Sequence, residues 1–310
     1  MPSFETLAAT FAGLDGRLVA VALVFHLANF GFRSLAWRNV LRAAYPDRAV
    51  PVLSIAGAYA AGVAVNAFTP ARGGDVLKIA LVRARIRGSS VPTIASSMGV
   101  VTLFDLVVGA SAIAALAALG LLPAPPGLPQ LPTAPALLTE HLAVALPVAV
   151  ALAAVAALLA RRFRGRLAAA WAGVKAGASI LGTPRRYLTE VAPLQLSAWV
   201  CRVGAVFFLL AAFGLPATLP VALIVVMAGG LSTIVPTPGG IGTQQVLLAY
   251  LLHATASTAA VVSFSLGMQA AVTTLNAFLG AAALMLMFRT LRPASAVRAH
   301  LQAARREARG

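Results

Sequence analysis

The sequence predicts an all-α polytopic membrane protein, built as an inverted-repeat helical bundle with two re-entrant helical hairpins. Three observations carry that expectation: the composition, the placement of basic residues around the apolar runs, and a Pro-x-x-Gly-Gly pattern that occurs twice. Of the 310 residues, 60% are hydrophobic and 10% charged, and the mean hydropathy is +0.90. Soluble chains run at about 45–50% apolar and about 25% charged, so this chain lacks the polar surface that water requires. Lipid is the alternative solvent. Eight Asp+Glu and one Cys leave no disulfide framework and no expected metal site, and no cofactor or nucleotide motif is evident. A net charge of +16 would suggest nucleic acid in a soluble chain. Here the bases lie between apolar runs, where they orient segments and meet anionic headgroups, so no nucleic-acid partner is expected.

A helix needs about 20 apolar residues to cross the hydrocarbon. Candidate segments are 18–36, 51–69, 93–120, 136–160, 192–213, 217–235, 242–253 and 259–288, and the seventh is too short to span alone. Residues 1–17 carry Glu5, Asp15 and a single base, Arg17, so no cleavable signal is expected. A proline-rich uncharged loop, 123–135, separates the third and fourth segments. After the fourth comes a basic stretch with Arg161, Arg162, Arg164, Arg166, Lys175, Arg185 and Arg186. Its Leu167, Trp171 and Val174 recur at helical spacing, which suits an amphipathic helix on the membrane surface.

Basic residues decide the topology. Arg33, Arg38, Arg42 and Arg48 precede segment 51–69, and Lys78, Arg83, Arg85 and Arg87 follow it. A full crossing would put one cluster outside, against the bias that keeps Lys and Arg in cytoplasmic loops. A hairpin that descends through 51–69, turns at 70–75 and returns keeps both inside. In mirror image, the flanks of 217–235 and 242–253 carry no Lys or Arg, so a second hairpin should open outward. The N-terminus is then outside and the basic tail, 291–310, cytoplasmic. Residues 1–290 form one membrane domain: repeat 1 over about 18–120, a linker span at 136–160, and repeat 2 over about 192–288. Eight ordinary spans are the alternative.

The two turns share a pattern. Pro70-Ala71-Arg72-Gly73-Gly74 matches Pro236-Thr237-Pro238-Gly239-Gly240, with Asn66 and Ser232 each four residues upstream. Proline removes a backbone donor and glycine permits a sharp turn. Irregular backbone at membrane depth persists only when buried in protein or lining a polar cavity, and amides at the start of a half-helix attract anions. Arg72 and Lys78 beside such amides would suit a phosphate headgroup. Alternatively, the glycines serve close helix packing.

These residues carry a family resemblance. Asn66-x-x-x-Pro70-x-Arg72-x-Gly74-Asp75-x-x-Lys78, preceded by Arg33…Trp37-Arg38, resembles the lysylphosphatidylglycerol synthase/flippase transmembrane-region family, and Pro236-x-Pro238-Gly239-Gly240-Ile241-Gly242 resembles its second signature. The likeness runs from about residue 18 to 290. It implies a polytopic inner-membrane protein that translocates lipids, in the best-known members an aminoacylated phosphatidylglycerol. Carried onto this chain, the substrate-binding positions are Asn66, Pro70, Arg72, Gly73, Gly74, Asp75, Lys78, Pro236, Pro238, Gly239, Gly240, Gly242 and Gln245. Gln245 stands where the family commonly has glutamate, and Thr102 where it often has arginine. With no aminoacyl-transferase domain in the sequence, synthesis of lysyl-lipid is not expected.

Other polar residues fall inside apolar runs. Asp105 and Arg202 lie at similar depth in 93–120 and 192–213, so they are expected to form an intramembrane ion pair, either gating or structural. His26 and Cys201 read as locally satisfied, and Gln244, Gln245, Gln269 and Asn276 line a polar path or bond across helices. The leading function is translocation of a phospholipid or polyprenyl-phosphate lipid, with membrane lipids as partners and a lipid synthase or glycosyltransferase as a further one. The alternatives are a non-transporting accessory subunit and a membrane-embedded lipid-phosphate enzyme. The enzyme reading lacks a nucleophile–base set or paired carboxylates.

Overall fold

The computed structural model describes residues 13–69, 72–122, 164–233, 237, 240 and 242–288. These residues are helical throughout, with no strand among them. The helices are α1 (Gly16–Ala44), α2 (Val52–Phe68), α3 (Gly73–Arg85), α4 (Val91–Ala118), α5 (Arg164–Gly177), α6 (Pro184–Glu190), α7 (Ala192–Ala212), α8 (Leu219–Ser232), α9 (Thr243–Leu251) and α10 (Thr258–Phe288). Seven of the expected segments correspond to helices. The expected loop 123–135, linker span 136–160 and basic tail lie outside the described residues, as do Pro70, Pro236, Pro238 and Gly239.

Four helical stretches are long and apolar enough to cross a membrane: Gly16–Ala44, Val91–Ala118, Pro184–Ala212 and Thr258–Phe288. Their starts follow local chemistry. Asp15 Oδ1 accepts the amides of Arg17 and Leu18 at 2.8 and 3.4 Å, and Ser90 Oγ accepts that of Thr93 at 3.2 Å. Such caps satisfy donors that the first helical turn leaves free.

The other apolar helices are shorter and packed in pairs. At about 1.5 Å per residue, α2 is about 26 Å long, α3 about 20 Å, α8 about 21 Å and α9 about 14 Å, against roughly 30 Å of hydrocarbon. Helices α2 and α3 lie against each other, as do α8 and α9. In the first pair the arms meet at glycines. A Cβ on Gly74 would sit 2.0 Å from the Gly62 carbonyl oxygen, so only glycine permits this approach. The open ends of the pair also meet. Arg48 donates to the Arg87 carbonyl, and the Tyr45 hydroxyl accepts the Ser90 amide at 3.0 Å. Arg48 and Arg87, one from each of the basic clusters that bracket this hairpin in sequence, are therefore in contact.

The apolar interior divides in two. One core joins the C-terminal half of α1 with α2, α3, the start of α4 and the end of α10, around Trp37, Leu41, Ile55 and Ile94. The other gathers the end of α4 with α7, α8, α9 and the start of α10, around Leu210, Val225, Leu248 and Phe264. Helices α1, α4, α7 and α10 run through both. Each carries polar side chains near its middle, where the cores meet: His26 and Arg33, Asp105, Arg202, and Asn276. Outside the bundle, α5 packs on the start of α4 and leaves Leu167 and Trp171 exposed, which agrees with the amphipathic reading of that stretch.

Candidate functional site

The first hairpin tip is organised by one carboxylate. Helix α2 ends at Phe68, and α3 begins after Arg72, whose φ of 58° is left-handed. A non-glycine residue there costs of order 1–3 kcal/mol and persists only where surrounding contacts hold it. The contacts are identifiable. Asn66, in the last full turn of α2, reaches across the turn: its Oδ1 accepts the Gly74 amide at 2.7 Å and its Nδ2 donates to Asp75 Oδ1 at 3.1 Å. Lys78 Nζ donates to the same oxygen at 2.9 Å, and Arg72 Nε donates to Asp75 Oδ2 at 3.0 Å. Asn66, Arg72, Gly73, Gly74, Asp75 and Lys78 thus form one cluster, as the sequence predicts. Two cations against one carboxylate leave it at +1. Lys78 is buried, its stem lying against Gly62, whereas the Arg72 side chain is 56% exposed.

The second tip is neutral. Helix α9 begins after Gly242, also at positive φ (86°), and the Gly242 amide donates to Gln245 Oε1 at 2.7 Å. Gln245 Nε2 then donates to Gln269 Oε1 of α10 at 2.9 Å. Ser232 differs from its sequence counterpart Asn66. Its Oγ bonds back to the Gly229 carbonyl at 2.9 Å rather than across the turn. Helix geometry pairs Arg72 with Gly242 and Asp75 with Gln245, the latter two each three residues after a helix cap at positive φ. The Pro-x-x-Gly-Gly match instead pairs Arg72 with Pro238.

From the first tip a continuous line of polar contacts enters the bundle. Lys78 Nζ stands 4.7 Å from the centre of the Tyr59 ring. The Tyr59 hydroxyl accepts from Arg33 Nε at 2.8 Å, and Arg33 holds Asp105 with two N–H groups at 3.0 and 2.5 Å. Trp199 Nε1 donates to Asp105 Oδ1 at 2.9 Å, and the Arg202 guanidinium lies 5.6 Å from the Trp199 ring centre. The line crosses from α3 through α2, α1 and α4 to α7.

This line corrects the expected Asp105–Arg202 pair. Asp105 is taken by Arg33, because α1 packs on both α4 and α7 and presents a fork that fits the carboxylate bidentately. The Trp199 indole fills the next acceptor site and sets its ring beside Arg202, which among the described residues donates to the Val226 carbonyl, at 3.5 Å. Reading Arg33 as a cytoplasmic flank missed it. The available signal was its position inside segment 18–36, as the sixteenth residue of that segment. Nothing in the periodicity marked Tyr59 or Trp199. His26 bonds Asn276 across α1 and α10 at 3.0 Å. Among the described residues, no three His, Cys, Asp or Glu side chains stand close enough to hold a metal ion.

No curated protein matches the chain in sequence. The family model of the lysylphosphatidylglycerol synthase transmembrane region matches residues 2–305. A helical domain with four apolar spans, matched over nearly its whole length, belongs to that family: the chain is a member of the lysylphosphatidylglycerol synthase transmembrane-region family, a multi-pass membrane protein of a lipid-related group.

Proposed function

We propose that the chain translocates a phospholipid or polyprenyl-phosphate lipid across the cytoplasmic membrane without altering it covalently. The charged tip of the first hairpin is the observation that carries this reading. Arg72 and Lys78 flank a carboxylate at the start of a half-helix too short to span, and a buried polar line leads from there to mid-bundle. Charge inside a bilayer is expensive and is kept where it serves ions or substrates. The guanidinium of Arg72 binds the headgroup phosphate, while Asp75 orients it or meets a cationic headgroup. Gly73 and Gly74 let the backbone amides approach. At the second tip, Gly240, Gly242 and Gln245 offer neutral donors, with Pro236, Pro238 and Gly239 in the same turn.

Both hairpins are re-entrant in this reading, the first from the cytoplasm and the second from outside. The N-terminus is outside and the basic tail inside. The Arg48–Arg87 contact supports the first hairpin, since it joins one residue from each of the two basic clusters. In a Cys201→Ala background, cysteines placed at 48 and 87 are expected to label from the cytoplasmic side alone; labelling from opposite sides removes the hairpin.

The functional test is lipid translocation in proteoliposomes. Arg72→Ala is expected to lower the rate at least about tenfold with normal insertion, and Arg72→Lys to fall between, because ammonium cannot hold a phosphate bidentately. A fully active Arg72→Ala protein would leave the tip as packing and return the accessory-subunit reading.

A further inference from the structure

Arg202 is the intramembrane charge that the tip does not use. It is the eleventh of the 21 residues of α7, so its guanidinium lies near the middle of a spanning stretch. An arginine carries five N–H donors. Here one of them reaches the Val226 carbonyl at 3.5 Å, the outer edge of a hydrogen bond, and the guanidinium lies 5.6 Å from the Trp199 ring centre. Trp199 also donates to Asp105, but that carboxylate is already committed to Arg33. The remaining described acids are elsewhere: Asp15 caps α1, Asp47 lies in the α1–α2 loop, Asp75 is at the tip and Glu190 pairs with Arg186. Arg33 and Arg202 against Asp105 leave mid-bundle at +1.

A guanidinium with no carboxylate partner among the described residues is costly in a low-dielectric layer and is matched by an anion with acceptor oxygens.

We propose that Arg202 is a mid-membrane anion station that receives the phosphate of the transported lipid between the two leaflets. This rests on the translocation reading and adds the intermediate step. The phosphate, bound first at Arg72 and Lys78, moves along the line of Tyr59 and Arg33 to a guanidinium that no carboxylate pairs among the described residues. Asp105 keeps Arg33 from competing for it.

The test is binding, separate from transport. The purified full-length chain in detergent is titrated calorimetrically with dioctanoyl phosphatidylglycerol and, in a second arm, with inorganic phosphate. Arg202→Gln is expected to weaken binding of the lipid about tenfold or more. Equal loss in the phosphate arm assigns the station to phosphate generally, and loss in the lipid arm alone assigns it to the headgroup with its chains. Lipid binding as tight as wild type in Arg202→Gln overturns the proposal. In the absence of lipid, Arg202→Met is expected to melt no lower than wild type, since it removes an unmatched charge. If neither variant folds, Arg202 is a structural counter-charge and the proposal also fails. Arg202-dependent binding without translocation in proteoliposomes would keep the station and reject the carrier. Arg202-independent binding with Arg72-dependent translocation would do the reverse.

Discussion

The two helical hairpins solve one backbone problem with different chemistry. In each, the returning half-helix starts after a residue at positive φ, and a side-chain amide accepts a backbone N–H at 2.7 Å: Asn66 for Gly74 in the first, Gln245 for Gly242 in the second. The amide's remaining N–H then points to different partners. In the first hairpin it meets Asp75, which gathers Arg72 and Lys78. In the second it meets Gln269, another neutral amide. Turn geometry is therefore independent of charge, and the charge of the first tip needs a separate cause. Its contacts supply one, because Lys78 continues into the charged Tyr59–Arg33–Asp105 line whereas Gln245 donates to the neutral Gln269.

The largest expected effect falls on the charged half. Asp105→Asn leaves Arg33 without its counter-charge and should cost about 3–5 kcal/mol in unfolding measured in detergent. The exchange Arg33→Asp with Asp105→Arg should recover part of that loss. A stability unchanged by Asp105→Asn would erase the distinction between the hairpins.

Next comes backbone proximity. Gly74→Ala puts a methyl 2.0 Å from the Gly62 carbonyl oxygen and should cost about 2 kcal/mol or more, as the arms of the first hairpin are forced apart. Gly230→Ala in α8 meets nothing within 4 Å and should change stability by less than about 1 kcal/mol. Equal melting shifts for the two would mean the arms are not in contact where the structure places them.

Smaller still is the loss of the neutral cap. Gln245→Leu removes the acceptor of the Gly242 amide, for about 1 kcal/mol. The least effect is expected from Gln245→Glu, within roughly 1 kcal/mol, since a carboxylate in the first turn is favoured by the helix dipole. That variant gives the second hairpin the carboxylate of the first. A slower translocation rate at unchanged melting temperature would show that the neutrality of the second tip matters to the cargo.

Composition and periodicity alone determined that this chain is helical and membrane-borne, because a spanning helix must satisfy its backbone internally and expose apolar side chains. Basic residues on both sides of 51–69 raised the expectation that its two flanks share one face, since orientation in a membrane is governed by loop charge, and Arg48 and Arg87 of those flanks are in contact. The tip cluster was legible too: Asn66, Arg72, Gly74, Asp75 and Lys78 are close in sequence, so local turn geometry brings them together. Partner choice at mid-membrane was not. Equal depth made Asp105 and Arg202 look like a pair, but depth fixes one coordinate and leaves the rotation of each helix about its axis open. Packing of α1 on α4 and α7 set that rotation, gave Asp105 to Arg33, set Trp199 beside Arg202 and left that arginine without a carboxylate among the described residues. Long-range helix contacts carry no local sequence mark, and only the tertiary structure decides them.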